Sequence, residues 1–251
     1  MSVKCSANHH LRATVEDQVA EGDRVAHRVT LQGTHRGDLF GIPPTGKRMT
    51  IGGISISRFA GGKLVEHWGI NDDLGLLQQI GIIPAPAQPE RKPNGPPAIR
   101  EAIRDRSLSA ERNKALIRRL IDAFWNEGQA AVFGEVFAPD YVDHNPAPGQ
   151  TPDREGFRQL AAAFRAALPD MHSTVDDLVA EGDQVAWRYT LRATHLGPLL
   201  GIPATGKHVT LTGISIDRFA GGQIVERWSQ LDTLGLMRQL GVIPTQGQRG
   251  E

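Results

Sequence analysis

A chain of 251 residues with 28 basic and 28 acidic side chains carries no formal charge, and the two signs are interspersed, so it offers no basic stripe to nucleic acid or to an anionic membrane surface. At 39 % hydrophobic and 22 % charged residues it has the composition of a globular protein with a sizeable core. The single cysteine, Cys5, excludes an intramolecular disulfide and a cysteine-rich zinc site.

The opening MSVKCSANHHLRATVEDQ has no apolar signal core, and no apolar run approaches membrane-span length, so a cytoplasmic location is expected. From Thr14 the chain enters a β-rich stretch, TVEDQVAEGDRVAHRVTLQGTHRGDLFGIPPTGK, which returns from Thr174 as TVDDLVAEGDQVAWRYTLRATHLGPLLGIPATGK. The match continues without a gap at roughly 60 % identity over about 70 positions, a duplication of one long unit. Between the copies, IPAPAQPERKPNGPPAIREAIRDRSLSA reads as an exposed linker running into a helix. The expected organisation is an incomplete first unit, 1–86, a linker, 87–106, and a complete second unit, 107–251.

From Ala110, the spacing of Leu116, Ile117, Leu120, Ile121 and Phe124 predicts a helix. A short helix over Gln129 to Phe137 follows, then strand-like Tyr141 to His144, then a helix from Arg154 to Ala167. Four strands come next, Val175 to Val179, Val185 to His195, Lys207 to Phe219 and Ile224 to Leu231, separated by Gly-rich turns. Asp232 as N-cap, a Gly241 stop and Pro244 beyond it bound a last short helix. This order predicts an α+β cone, a curved antiparallel sheet whose concave face is covered by three helices and encloses a pocket. The first copy has no counterpart of residues 110–170, so its concave face is expected to lack a cover. Packing on the second copy as an intrachain pseudo-dimer is expected, with the linker helix or another chain of a homo-oligomer closing the cavity.

The block THLGPLLGIPATGKHVTLTGISIDRFAGGQIVERWSQLDTLGLMRQLG, with YVDHNP upstream, resembles the SnoaL-like polyketide cyclases, or ester cyclases, of the nuclear transport factor 2-like fold. Val65-Glu66-His67-Trp68 to Asp72 and Val225-Glu226-Arg227-Trp228 to Asp232 carry its most specific piece in both copies. The resemblance implies a cofactor-free intramolecular aldol condensation of a hydrophobic polyketide ester, and puts the acid/base carboxylate at Asp232. The same cone also hosts epoxide hydrolases, isomerases and non-catalytic binding modules, which stand as alternatives.

Asp at the start of a helix is equally an N-cap, so Asp232 has two readings. Period-2 counting places Trp228 and Gln230 on one face of the last strand with Asp232, so that they would line the pocket if Asp232 does; a bulge would break that register. In Val185 to His195, the alternation sets Trp187, Tyr189 and His195 inward, His195 being equally readable as a structural strand-end group. His144 and Asn145, before Pro146 in a loop expected at the pocket mouth, are candidate ligand contacts. The scattered histidines show no metal-ligand spacing, and no cofactor or metal is expected.

Overall fold

The computed structural model describes residues 11–84 and 106–243. The linker expected at 87–106, all but its last residue, and the expected Pro244 lie outside the described residues. The first copy is a meander of β1 (Arg12–Glu21), β2 (Arg24–Thr34), β3 (Arg48–Ala60) and β4 (Lys63–Asn71), closed by α1 (Asp73–Gln79). The second copy opens with α2 (Arg106–Arg119), whose last turns widen into a π-helical segment over Leu120–Asn126. There follow α3 (Ala131–Val136), β5 (Phe137–Asp143), α4 (Arg154–Ala167), β6 (His172–Glu181), β7 (Gln184–Thr194), β8 (His208–Ala220), β9 (Gln223–Leu231) and α5 (Thr233–Leu240).

The sheets are ordered β1-β2-β3-β4 and β5-β9-β8-β7-β6, antiparallel throughout except that β5 runs parallel to β9. Both β3–β4 and β8–β9 hairpins turn on a pair of glycines with positive φ, Gly61-Gly62 and Gly221-Gly222, which the right-handed twist of a two-residue turn requires. Asp153 caps α4 and Asp232 caps α5, each side chain accepting a backbone N–H three residues on at 2.8 Å. The helix expected over Gln129 to Phe137 is shorter, because Phe137 is already extended and begins β5. Among the described residues no helix is long and apolar enough to cross a membrane.

The helices of the second copy bury the inner face of its sheet. Ile117, Leu120, Phe133, Phe137, Tyr141 and Phe157 close over Val185, Trp187, Phe219 and Ile224 at one end. At the other end Phe164, Leu168, Leu236 and Leu240 close over Leu191, Val209 and Leu211.

The outer faces of the two sheets pack on each other. Val19, Ala26, Ile54 and Ile56 meet Val179, Ala186, Ile214, Ile216 and Trp228 in one core cluster. The polar contacts around it come in pairs related by the duplication. Arg28 lies over the Trp228 ring at 4.9 Å, and Arg188 over Trp68 at 5.0 Å. Ala20 N–H donates to Glu181 at 2.9 Å, and Ala180 N–H to Glu21 at 2.9 Å. Arg24 pairs with Asp177, and Gln184, the counterpart of Arg24, donates to Asp17, the counterpart of Asp177. This reciprocity is that of a two-fold interface, here formed within one chain.

The first sheet has no helices comparable to α2–α4 among the described residues. Its α1 covers one end with Leu76, Leu77 and Ile80 against Met49 and Ile51. At the other end Phe59 is 40 % and Leu64 55 % exposed, whereas their counterparts Phe219 and Ile224 are 5 % and 0 % exposed. Ile56, fully buried on the outer face, tests how firmly the sheets are joined. Ile56→Ala is expected to destabilise the whole chain by about 2–5 kcal/mol in one cooperative denaturant transition. A shift confined to a separate early transition would mean that the first sheet folds apart from the second.

Candidate functional site

The side chains that reach the interior of the second copy are fixed by the register of β7, β8 and β9. Trp187 and Tyr189 point inward from β7, and Ser215 and Asp217 from β8. The pairing of β8 with β9 shifts by one residue between Arg218 and Phe219, so that Val225 is bulged out. Ile224 therefore faces inward, and beyond the bulge the inward set is Arg227, Ser229 and Leu231, opposite Asp217, Ser215 and Gly213.

That bulge overturns the face expected for Trp228 and Gln230. Both lie on the outer face, opposite Ile216 and Ile214. Trp228 belongs to the core between the sheets, and the Gln230 amide reaches Gly52 of the first copy. His144 joins them there: its imidazole stacks on Trp228 at 4.3 Å, interplanar angle 1°, with Nε2 3.8 Å from Glu226. Asn145 ties the sheet edge, its side-chain oxygen accepting Ser229 N–H at 3.1 Å and its own N–H donating to Asp143 at 3.0 Å. Asp232 is exposed at the end of β9, its carboxylate on Gly235 N–H and its N–H on Thr212 O. Its charge reaches Asp73 of the first copy, whose pKa is raised by burial and then by Asp232 and Asp72. His195 is fully buried with Nδ1 3.0 Å from Thr205 Oγ1 and backbone bonds to Gly206 and Lys207. His35 makes the same set with Thr45, Gly46 and Lys47, so this histidine staples the β2–β3 and β7–β8 loops alike.

Of the residues singled out from sequence, the structure thus brings Trp187 and Tyr189 together inside the cone, with rings 4.7 Å apart. It adds a polar set that the sequence reading passed over. Asp217, fully buried, accepts Arg227 Nε at 2.7 Å and Nη2 at 2.9 Å, and Trp187 Nε1 at 2.8 Å. The Arg227 guanidinium also lies 4.9 Å over Phe157 and 5.2 Å over Phe137. Burial opposes the Arg227 charge, but Asp217 more than offsets it and moves the pKa above the usual arginine range. Asp143, beside Arg227 across the β5–β9 pair and 4 % exposed, has its pKa raised by burial, against the opposing pull of Asn145 N–H and Arg227. The Tyr141 hydroxyl is buried with no hydrogen-bond partner among the described residues, and burial raises its pKa strongly.

Trp125, Leu160, Tyr189 and Leu231 are half-buried where they pack against the two apolar clusters. Tyr189 crosses β8 there in the space that Gly213 leaves; a Cβ at Gly213 would stand 2.2 Å from the phenol carbon. Its hydroxyl bonds with Ser229 and Ser215, themselves 2.9 Å apart, and burial pushes its pKa up to about 12. The phenol therefore stays a hydrogen-bond donor across the neutral range. A signal for the missed pair was present in the duplication: Asp217 and Arg227 replace Ser57 and His67 of the first copy, two coupled changes at facing positions of one hairpin.

The sequence matches the family of SnoaL-like polyketide cyclases over residues 4–80 and 115–240. The aklanonic acid methyl ester cyclases DnrD of Streptomyces peucetius and DauD of Streptomyces sp. strain C5 are each 30 % identical over 131 residues, half of this chain and 88 % and 80 % of those proteins. A solved protein of Jannaschia sp. CCS1, assigned to the SnoaL-like polyketide cyclases, is 26 % identical with a TM-score of 0.50, covering 56 % of this chain and 99 % of that one.

A buried ion pair is costly to break and cheap to replace. Arg227→Met is expected to cost about 3–5 kcal/mol in urea unfolding, because Asp217 is left charged and unpaired in the core. Adding Asp217→Leu should restore all but the price of the stranded Trp187 N–H, about 1–3 kcal/mol. Equal stability of the single variant and wild type would show that Asp217 is hydrated rather than buried.

Proposed function

The chain belongs to the SnoaL-like polyketide cyclase family, and on that premise we propose that its complete second unit catalyses a cofactor-free ring closure of a hydrophobic polyketide-type ester by acid/base chemistry inside the cone. The observation that carries the reading is Asp143, a buried carboxylate with a raised pKa that stands beside Arg227 across the β5–β9 pair and accepts from Asn145 N–H and Gln150. An ionised Asp143 takes a proton from the acidic carbon between two carbonyls and becomes the neutral acid. The enolate carbon attacks a ketone or aldehyde of the same chain, forming the ring bond, and the proton passes to the new alkoxide. Tyr189 with Ser215 and Ser229 supplies neutral donors for the enolate oxygen. The aromatic walls hold the flexible substrate folded, which makes ring closure effectively unimolecular.

Asp232, the carboxylate implied by the family motif, is the competing base, and it sits exposed as the α5 cap. The two are separated by comparing Asp143→Asn with Asp232→Asn on polyketide methyl esters. Asp143→Asn is expected to abolish conversion without lowering the melting temperature at neutral pH. The sign follows from burial: the folded state holds this proton more tightly than the unfolded chain, so ionisation costs stability once pH rises past the ordinary carboxylate range, and Asn removes that cost. Wild-type turnover should rise with pH through the raised Asp143 pKa. Asp232→Asn should retain conversion and stability, since Asn caps as well as Asp. Full activity in Asp143→Asn with none in Asp232→Asn would return the base to the family-matched carboxylate. Tight uptake of the ester by all three proteins without conversion would make the cone a binding module.

A further inference from the structure

The two copies share their outer faces and differ on their inner ones. Ile54 and Ile56, Arg28 and Trp68 repeat as Ile214 and Ile216, Arg188 and Trp228. On the inner face, Trp187, Asp217, Arg227 and Ser229 are replaced by His27, Ser57, His67 and Gly69, while Ser55 matches Ser215. The replacements are matched to one another. His27 Nε2 lies 2.8 Å from Ser55 Oγ, and His67 Nδ1 3.0 Å from Ser57 Oγ. The two serines are buried beneath the imidazoles, whose centroids are 6.4 Å apart at 32°. The His67 ring occupies the space over Gly69, where a Cβ would approach Nε2 to 3.1 Å. Next to the His67 row on the same face stand the facing apolar residues Phe59 and Leu64, 40 % and 55 % exposed.

We propose that the inner face of the first copy, which no described helix covers, is a second ligand site, which binds a small apolar carboxylate with its anionic head on His27 and His67 and its body on Phe59 and Leu64. Each serine fixes one nitrogen of its imidazole, and the ligand carboxylate accepts from the other nitrogen of each ring. Charge selects the occupant. Among the described residues, no carboxylate shares the face with the two rings: β1 brings Gln18, β3 the two serines and β4 Gly69, with Asn71 farther along against Gly53. The remaining histidine of the face, His35, is buried at its far end against Thr45. Two imidazoles this close disfavour joint protonation, and His27 is pushed down by burial and by His67. An anion between them removes that repulsion, so binding takes up a proton and weakens as pH rises. The site stands independently of the reaction proposed for the second copy.

The test uses the full chain and 1-naphthoate, with 1-naphthalenemethanol as the neutral analogue of equal bulk. Titration at pH 6 and pH 8 is followed by calorimetry and by the histidine ring proton resonances. Naphthoate is expected to shift the His27 and His67 signals and to bind about tenfold more weakly at pH 8. The alcohol should show no such dependence. His27→Gln/His67→Gln, with both substitutions at exposed or half-buried positions, should lose naphthoate binding by at least about tenfold while Tyr189→Phe in the cone leaves it unchanged. Failure of naphthoate to move either histidine resonance in the wild-type protein would overturn the proposal and mean that another part of the chain or a second molecule covers the face. Binding that survives in the double variant would overturn it equally, by placing the probe elsewhere.

Discussion

The arrangement rests on the apolar contact between the outer faces of the two sheets. Ile54 and Ile56 of one copy and Ile214 and Ile216 of the other are within 2 % of complete burial, and Trp228 is held between His144 and Arg28. Burial on this scale is the dominant favourable term in any folded sheet pair. Because the two faces derive from one sequence, their polar border is self-complementary. Each arginine finds the tryptophan of the other copy, and each glutamate an N–H of the other copy's edge strand. The two sides keep most of the same contact residues, although Gln184 stands where the first copy has Arg24 and still reaches the matching carboxylate. On the inner faces the copies have separated.

This division explains what could be read from the chain and what could not. The duplication, the strand order and the Asp232 cap are local or repetitive signals, and each is visible as a spacing. The pocket-facing set was not, for one reason of geometry. A single bulged residue, Val225, reverses the alternation along β9. Counting by two from Ile224 is right for that residue and is reversed after the bulge, so Trp228 and Gln230 take the face opposite to the one that counting gives them. The His144 loop misled in a related way, since its place at the strand end looks like a pocket mouth but stacks on the interface tryptophan. Asp217 and Arg227 each look like ordinary surface charges in sequence. Only their pairing across a hairpin, 2.7 Å apart and away from water, makes them interior residues.

Helices decide the chemistry that each inner face can support. In the second copy α2, α3 and α4 exclude water, and burial then raises Asp143 and Tyr189 while binding Arg227 and Asp217 into one neutral unit. Low local dielectric strengthens each of these effects and penalises any polar group without a partner. The same Asp–Arg pair placed on the open sheet would be solvated and would contribute about 0–1 kcal/mol.

The first copy instead carries groups whose usefulness does not depend on being buried. An imidazole changes charge near neutral pH in contact with water, and a serine beneath it fixes the ring without asking for a dry surrounding. Phe59 and Leu64, whose counterparts Phe219 and Ile224 are buried under the helices of the second copy, stand exposed in the row next to His67. Left wet, they forfeit about 25 cal/mol for every Å² of apolar surface exposed. An amphipathic anion offsets that loss and the repulsion between the imidazoles together, which neither a purely apolar molecule nor a bare inorganic ion can do. Among the described residues the duplication therefore leaves two inner faces of different character: one packed by helices around the Asp217–Arg227 pair, and one carrying two imidazoles beside exposed apolar side chains.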